Sequence, residues 1–304
     1  MTLSGSVTGA SAGQARAHGA MLVYAFLVST SFPVGAAITQ GLDPVVLTCL
    51  RFALAALTFA AVVTAAGEWR RPSLGGLLRY AAISLTMAGF FVLMFEALRW
   101  TDPLSAGALF TLTPLTTAAI GYLAVRQRCS AGQLACLLLG ALAAAWVVFD
   151  GRVERLLALD LGYGEWLFLG GVLCFAAYSP AVKRLHRGES LLLVTFWVLV
   201  CGAVLLGLYS APEILATDWA AVPGGVYLGV AYLAVCNTAV TFYIAKYASL
   251  RLQAFKVMAY TYLTPAFVVL LEGALGQGWP SASVIAGIVA TAAVTLLLQR
   301  TSDG

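Results

Sequence analysis

Charge is scarce in this 304-residue chain: Asp, Glu, Lys and Arg together make up 10% of it. Soluble domains carry about a quarter of their residues as charges, so an ordinary water-soluble fold is excluded. Only two histidines are present, His18 and His186, and both sit beside the ends of apolar runs. The six cysteines include no Cys-x-x-Cys pair, the spacing that zinc sites and redox motifs use. Neither metal chemistry nor a Ser–His or Cys–His nucleophile is supported, and the chain is not read as an enzyme. Gly162-Tyr163-Gly164 follows no strand, so it is not a nucleotide loop. No cofactor is expected.

What the chain has instead is apolar length, with a mean hydropathy of +0.92. The hydrocarbon core of a bilayer is about 30 Å thick and takes roughly 20 apolar residues in a helix to cross. Ten stretches qualify: 19–40, 44–66, 76–98, 103–124, 131–149, 163–183, 190–209, 223–246, 253–275 and 281–299. These are spans 1 to 10 of an all-α polytopic membrane protein. Residues 1–18 are rich in Ser, Gly and Ala with Arg16 as their one charge, and are expected to form a flexible tail without the marks of a signal peptide.

The few charges carry an orientation. Cytoplasmic loops collect Lys and Arg. With the N-terminus inside, thirteen of the 17 basic residues fall on the cytoplasmic face, among them Arg70, Arg71, Arg79, Lys183, Arg184 and Arg187. Arg99, Arg152 and Arg155 fall outside, and Arg51 lies within a span. Asp43, Asp102, Asp150, Glu154, Asp160, Glu213 and Asp218 gather at the outer loops. Both termini are therefore expected to be cytoplasmic. The net charge of +4 reflects this asymmetry and implies no nucleic acid.

The chain also repeats itself. Span 4 contains Leu112-Thr113-Pro114 and ends at Gln127; span 9 contains Leu263-Thr264-Pro265 and ends at Gln277. Phe32-Pro33 in span 1 is echoed by Ser179-Pro180 in span 6. The offsets are 151, 150 and 147 residues, about half the chain. Five spans per half is an odd number, so residues 160–300 re-enter the membrane in the opposite sense to residues 19–150. Inverted repeats of this kind build many secondary transporters, with substrate held near the midplane.

Ser29-Thr30-Ser31-Phe32-Pro33, then Asp43-Pro44 leading to Leu50-Arg51-Phe52-Ala53-Leu54-Ala55, then the paired Thr-Pro helices, follow one another in a specific order. In these features, and along almost its whole length, the chain resembles the EamA branch of the drug/metabolite transporter superfamily. The resemblance implies ten helices, export of small metabolites and frequent proton coupling. One departure is notable. The family commonly closes each Thr-Pro helix with Gly-Glu, where this chain has Gln127 and Gln277, so any role of that acid is absent or has moved.

Pro33, Pro114 and Pro265 lie about 10–14 residues into their spans, or roughly 15–21 Å at 1.5 Å per residue. Each removes a helix hydrogen bond that a neighbour or water must replace. With Pro180 they are candidate hinges, and Thr113 and Thr264 stand next to two of the breaks. Arg51 sits about seven residues into span 2, deep enough to need a partner or water. Glu96, Glu272 and Glu165 are its candidate partners. Its role is either to lock span 2 in an ion pair or to bind an anionic group of the substrate. Glu96 and Glu272 are the candidate proton sites, because desolvation raises a carboxyl pKa. Ser29, Thr30, Phe32, Arg51, Thr113, Asn237, Tyr260, Tyr262 and Thr264 form the expected substrate site.

The reading is a secondary transporter of a bacterial inner membrane. It exports a small organic metabolite, an amino acid or a derivative of one, by alternating access and proton antiport. Lipid, substrate and protons are its partners, and a homodimer is compatible with the sequence. An uncoupled facilitator or importer, and a non-transporting subunit or sensor, stay open as alternatives.

Overall fold

Aspartate followed by proline starts two of the helices. Asp43 accepts the N–H groups of Val45 and Val46 at 2.8 and 3.1 Å, and Asp102 accepts that of Ser105 at 2.8 Å. Each caps a helix whose first residue, Pro44 or Pro103, has no N–H to leave unpaired. Ser73, Ser130 and Ser190 cap the helices that begin at Leu74, Ala131 and Leu191 in the same manner, Ser130 with a reciprocal bond from Gln133.

The computed structural model describes residues 5–126, 130–158, 161–249, 251–252 and 254–300. Gln127, Arg128, Cys129, Asp160 and Asp303 lie outside them. The described helices are α1 (Gly5–Thr39), α2 (Pro44–Ala65), α3 (Leu74–Ala97), α4 (Pro103–Phe110), α5 (Thr113–Val125), α6 (Ala131–Val148), α7 (Val153–Ala158), α8 (Tyr163–Leu185), α9 (Leu191–Tyr209), α10 (Ala211–Ala216), α11 (Gly224–Ala234), α12 (Thr241–Ser249), α13 (Ala254–Ala259), α14 (Thr264–Ala274) and α15 (Ala282–Arg300). No strand occurs among the described residues. Ten spans among them are long and apolar enough to cross a membrane, in the places the sequence indicates. Short α7 and α10 lie in the two longest loops, where no helix is expected.

The first helix corrects one expectation. It starts at Gly5 rather than near residue 19, so residues 5–18 are helix and not tail. Ala17, Met21 and Ala25 form a stripe at fourth-residue spacing that is buried against Ile244, Ala248 and Tyr260. Small residues with little charge let the helix continue.

Packing follows the inverted plan. Span 2 lies along span 7, span 4 crosses span 9 and span 5 lies along span 10, through α2–α9, α4–α14 and α6–α15. Exchanging the halves maps each of those pairs onto itself. The other main pairs map onto one another: α3 on α8 corresponds to α1 on α11 and α12, and α5 on α8 corresponds to α1 on α14. An in-plane twofold predicts this set.

Both Leu-Thr-Pro motifs break their helices. Pro114 and Pro265 are the second residues of α5 and α14, and the leucines before them have nearly equal backbone angles, φ −73°, ψ −14° and φ −82°, ψ −9°. Span 4 crosses the break through a turn at Thr111–Leu112, and span 9 through a 3₁₀ turn, Tyr260–Leu263. A proline removes one helix hydrogen bond and crowds the carbonyl four residues back, which makes such a break less costly. Pro33 and Pro180 lie inside α1 and α8, which continue past them.

Polar ties close the two ends. At one, Arg79 donates to Leu185 O at 2.7 Å and to Glu189 Oε1 at 2.9 Å, joining α3 to the turn before α9. At the other, Arg99 donates to Thr39 O and Leu42 O at 2.9 and 3.1 Å, and Thr101 bonds Glu165. Burial alone would raise the Glu189 carboxyl pKa; the Arg187 and Glu189 N–H groups and the Arg79 guanidinium outweigh it and hold the value at about 2, below the ordinary 4.5. A lowered carboxyl pKa stabilises the fold above the unfolded value and loses that effect as pH falls through the folded one. The stability advantage of the native protein over Glu189→Gln is therefore expected to shrink between about pH 4.5 and pH 2, as read by thermal unfolding across that range.

Candidate functional site

A cavity of about 190 Å³ lies inside the bundle. Its wall is drawn from α1 (Tyr24, Val28, Ser31, Phe32), α2 (Arg51), α3 (Met87, Phe90, Phe91, Met94), α8 (Phe175, Tyr178), α9 (Thr195, Leu199) and span 8 (Asn237, Thr238, Thr241, Phe242). Tyr24, Tyr178 and Thr195 mark its extension toward the end that carries Arg79. Toward the other end, the rings of Phe32, Phe110 and Phe168 close on one another, with Phe32 centroids 5.8 Å from Phe110 and 6.0 Å from Phe168.

The polar side of the cavity is built by a widened turn. Between α11 and α12, residues Val235–Val240 form a π-helix, a segment frequent at functional sites because it frees backbone groups and re-aims side chains. Thr238 uses the offset to donate to Leu233 O, five residues back, at 3.1 Å. Asn237 turns toward α1, where its Oδ1 accepts from Ser31 at 2.8 Å and its Nδ2 donates to Thr30 at 3.0 Å. Thr30 also bonds the Tyr232 hydroxyl at 2.8 Å, and Thr241 Oγ1 donates to Asn237 O at 2.9 Å. The two halves thus meet through a chain of neutral hydrogen bonds.

Arg51 faces this chain. It is 1% exposed, the largest side chain so fully buried. Its Nε and Nη2 both reach Thr238 Oγ1 at 3.4 Å, and its guanidinium carbon lies 3.9 Å over the Phe91 ring. Nη1 has no partner among the described residues.

The expected carboxylate partners are elsewhere. Glu96 pairs with Arg99 at 3.4 Å and accepts from Trp100 at 3.0 Å. Glu165 is held by Thr101, and Glu272 is half-buried within Coulombic reach of Asp102. All three belong to the membrane end opposite Arg79, whereas Arg51 points to the midplane, so the expected ion pair does not form.

Of the nine candidate residues, Phe32, Arg51 and Asn237 line the cavity, and Thr30 stands one row behind them. The other five lie elsewhere. Ser29 donates to Ala25 O in its own helix at 2.6 Å. Tyr260 and Tyr262, two residues apart on the 3₁₀ turn, point to different sides, because i and i+2 positions of a helix do not share a face. Tyr260 meets His18 at 2.7 Å, and Tyr262 packs with Cys136, Leu137, Val294 and Leu298. Thr264 faces Gly107 where α4 and α14 cross. Thr113 and Thr264 are fully buried, and their hydroxyls have no partner among the described residues. Sequence reasoning missed Phe91, Thr195, Thr238 and Thr241. The run Asn237-Thr238-x-x-Thr241 in an apolar span is the signal that would have found two of them.

Ten spans in two alike halves, with two broken helices and a cavity between them, are the architecture of a multi-pass membrane protein of the inverted-repeat class. The chain belongs to the EamA-like transporter family, whose model matches it twice, over residues 16–149 and 162–299. It is similar to the uncharacterized transporter YyaM of Bacillus subtilis (strain 168), at 22% identity over 188 residues. That match covers 62% of this chain and spans 62% of the relative's length. A solved crystal structure 23% identical in sequence superposes with a TM-score of 0.68, covering 94% of this chain and 99% of its own; it shows a shared fold.

Proposed function

We propose that the protein exports a small organic metabolite, an amino acid or a compound derived from one, across a bacterial inner membrane by alternating access. The observation that carries this reading is the midplane cavity with a buried Arg51 at the junction of the halves. An orientation with both termini cytoplasmic is supported by the excess of Lys and Arg on one face. In that orientation the cavity extends toward the cytoplasm, which suits loading from inside. Pro33, Pro114, Pro180 and Pro265 are the hinges about which the halves rock.

Proton antiport is assigned to Glu272 first and Glu96 second. Among the described residues Glu272 has no cation bonded to it, whereas Glu96 is tied to Arg99. A second reading, an uncoupled facilitator, is favoured by one observation: no described residue of the cavity wall is a carboxylate. Proteoliposomes loaded with extract metabolites and given a pH gradient decide between them. Under antiport, efflux follows the gradient in the native protein and loses that dependence in Glu272→Gln. Efflux indifferent to the gradient in native, Glu96→Gln and Glu272→Gln proteins alike assigns the facilitator. No efflux from any of them ends the transport reading.

A further inference from the structure

We propose that the cavity is a seat for an organic monoanion with an apolar body, and that it selects against the same body bearing an ammonium group. The inference rests on the transport reading above and narrows its substrate to an amino-acid-derived carboxylate whose amine is absent or masked.

Charge balance comes first. A buried cation is stable only when it is paired or solvated. Arg51 makes long bonds to a single hydroxyl oxygen, Thr238 Oγ1, which already gives its proton to Leu233 O. Its Nη1 is unpartnered among the described residues. The three candidate acids lie at the membrane end, Glu96 paired with Arg99 and Glu165 bonded by Thr101, and neither they nor Glu272 line the cavity. The missing negative charge must then arrive with the ligand. A guanidinium is a fork suited to a carboxylate, and Nη1 is the tine left open.

The remaining wall sets the rest of the ligand. Phe90, Phe91, Phe175 and Phe242 offer apolar faces. Asn237 Oδ1, the polar acceptor best placed for an ammonium, already accepts from Ser31. An ammonium would enter beside an uncompensated guanidinium with no carboxylate to receive it. A volume of about 190 Å³ is below the ~300–1,000 Å³ of sites for drug-sized ligands, which limits the body to that of a single metabolite.

A consequence concerns energetics. An anion leaving a cell with a negative interior moves with the field, and each 100 mV favours its exit by roughly 50-fold. Binding also cancels the Arg51 charge, so the loaded cavity can close where the empty one resists closure.

Three probes share one phenylethyl frame: 3-phenylpropionate, a monoanion; L-phenylalanine, a zwitterion; and 2-phenylethylamine, a cation. Thermal unfolding of the purified full chain in detergent at neutral pH measures how each protects it. The expected half-saturating concentration is about tenfold or more lower for 3-phenylpropionate than for phenylalanine, with no protection by the amine, and Arg51→Gln raises the anion's value about tenfold or more. If Arg51→Gln fails to fold, the order of the three probes on the native protein decides alone. Equal protection by all three, protection by none, or anion protection unchanged in Arg51→Gln overturns the proposal. Flux of the same probes in proteoliposomes separates the two readings. Anion binding without flux leaves the seat standing and ends the transport reading. Phenylalanine flux unaffected by Arg51→Gln keeps the transport reading and ends the seat.

Discussion

Arg51→Met is expected to unfold at a higher temperature than the native protein and to transport nothing. Placing an arginine at the centre of a spanning helix costs about 2.5–3.5 kcal/mol on insertion scales. The return at this site is limited. Stacking on the Phe91 ring is worth about 2 kcal/mol at best, and the bonds to Thr238 are long and share one oxygen. Methionine keeps most of the apolar stem over Phe91 and discards the charge. Replacing a buried charge by an apolar residue of similar volume stabilises by about 1–4 kcal/mol in the cases where it helps, and about 1–3 kcal/mol is expected here. Thermal unfolding in one detergent and efflux from one liposome preparation measure the two effects together. A variant less stable by more than about 1 kcal/mol would make Arg51 a structural element and remove the argument that it is held in reserve for a ligand.

Gly140→Ala is expected to destabilise by about 2–3 kcal/mol, within the usual range for overpacking, although glycine to alanine inside a helix ordinarily gains about 1 kcal/mol. The clash decides the sign. A Cβ at Gly140 would lie 2.2 Å from Tyr262 Cε1, 2.6 Å from its Cζ and 2.8 Å from its hydroxyl. Tyr262, in the 3₁₀ turn, is fully buried against α6 and α15, so its ring can yield only by displacing packed neighbours. Tyr262→Phe alone is expected to be neutral or stabilising, because the hydroxyl it removes is buried with no partner among the described residues. Tyr262→Leu should recover part of the loss in Gly140→Ala, since the two positions touch and their effects cannot add. Unfolding curves of the singles and the double test the coupling; strict additivity would mean the contact is absent.

These two sites also show where sequence reading stops. That Arg51 is buried and isolated follows from its place in an apolar run. Its partners do not. Three carboxylates are within plausible reach along the chain, and only the packing of α2 on α9 and the turn at Val235–Val240 reveals that the guanidinium meets Thr238 and Phe91 instead. A π turn shifts the phase of every side chain after it, and apolar periodicity read at 3.6 residues per turn passes over it. Tyr260 and Tyr262 fail for a simpler reason. Residues two apart do not face the same way on a helix, so one meets His18 and the other Gly140.

The class, the ten spans, the weak points at the prolines and the doubling of the chain are legible in the residues alone; that α1 and α8 run on past Pro33 and Pro180 while the helices break at Pro114 and Pro265 is not. Each legible feature rests on a local cause: apolar length against bilayer thickness, a proline ring against the carbonyl four residues back, an odd number of crossings per half. Which polar groups share a cavity, and that all three candidate acids stay away from Arg51, came only from the packing of the helices. Those are relations between helices, set by rotation about each axis, and a change of one residue in a turn is enough to redirect them.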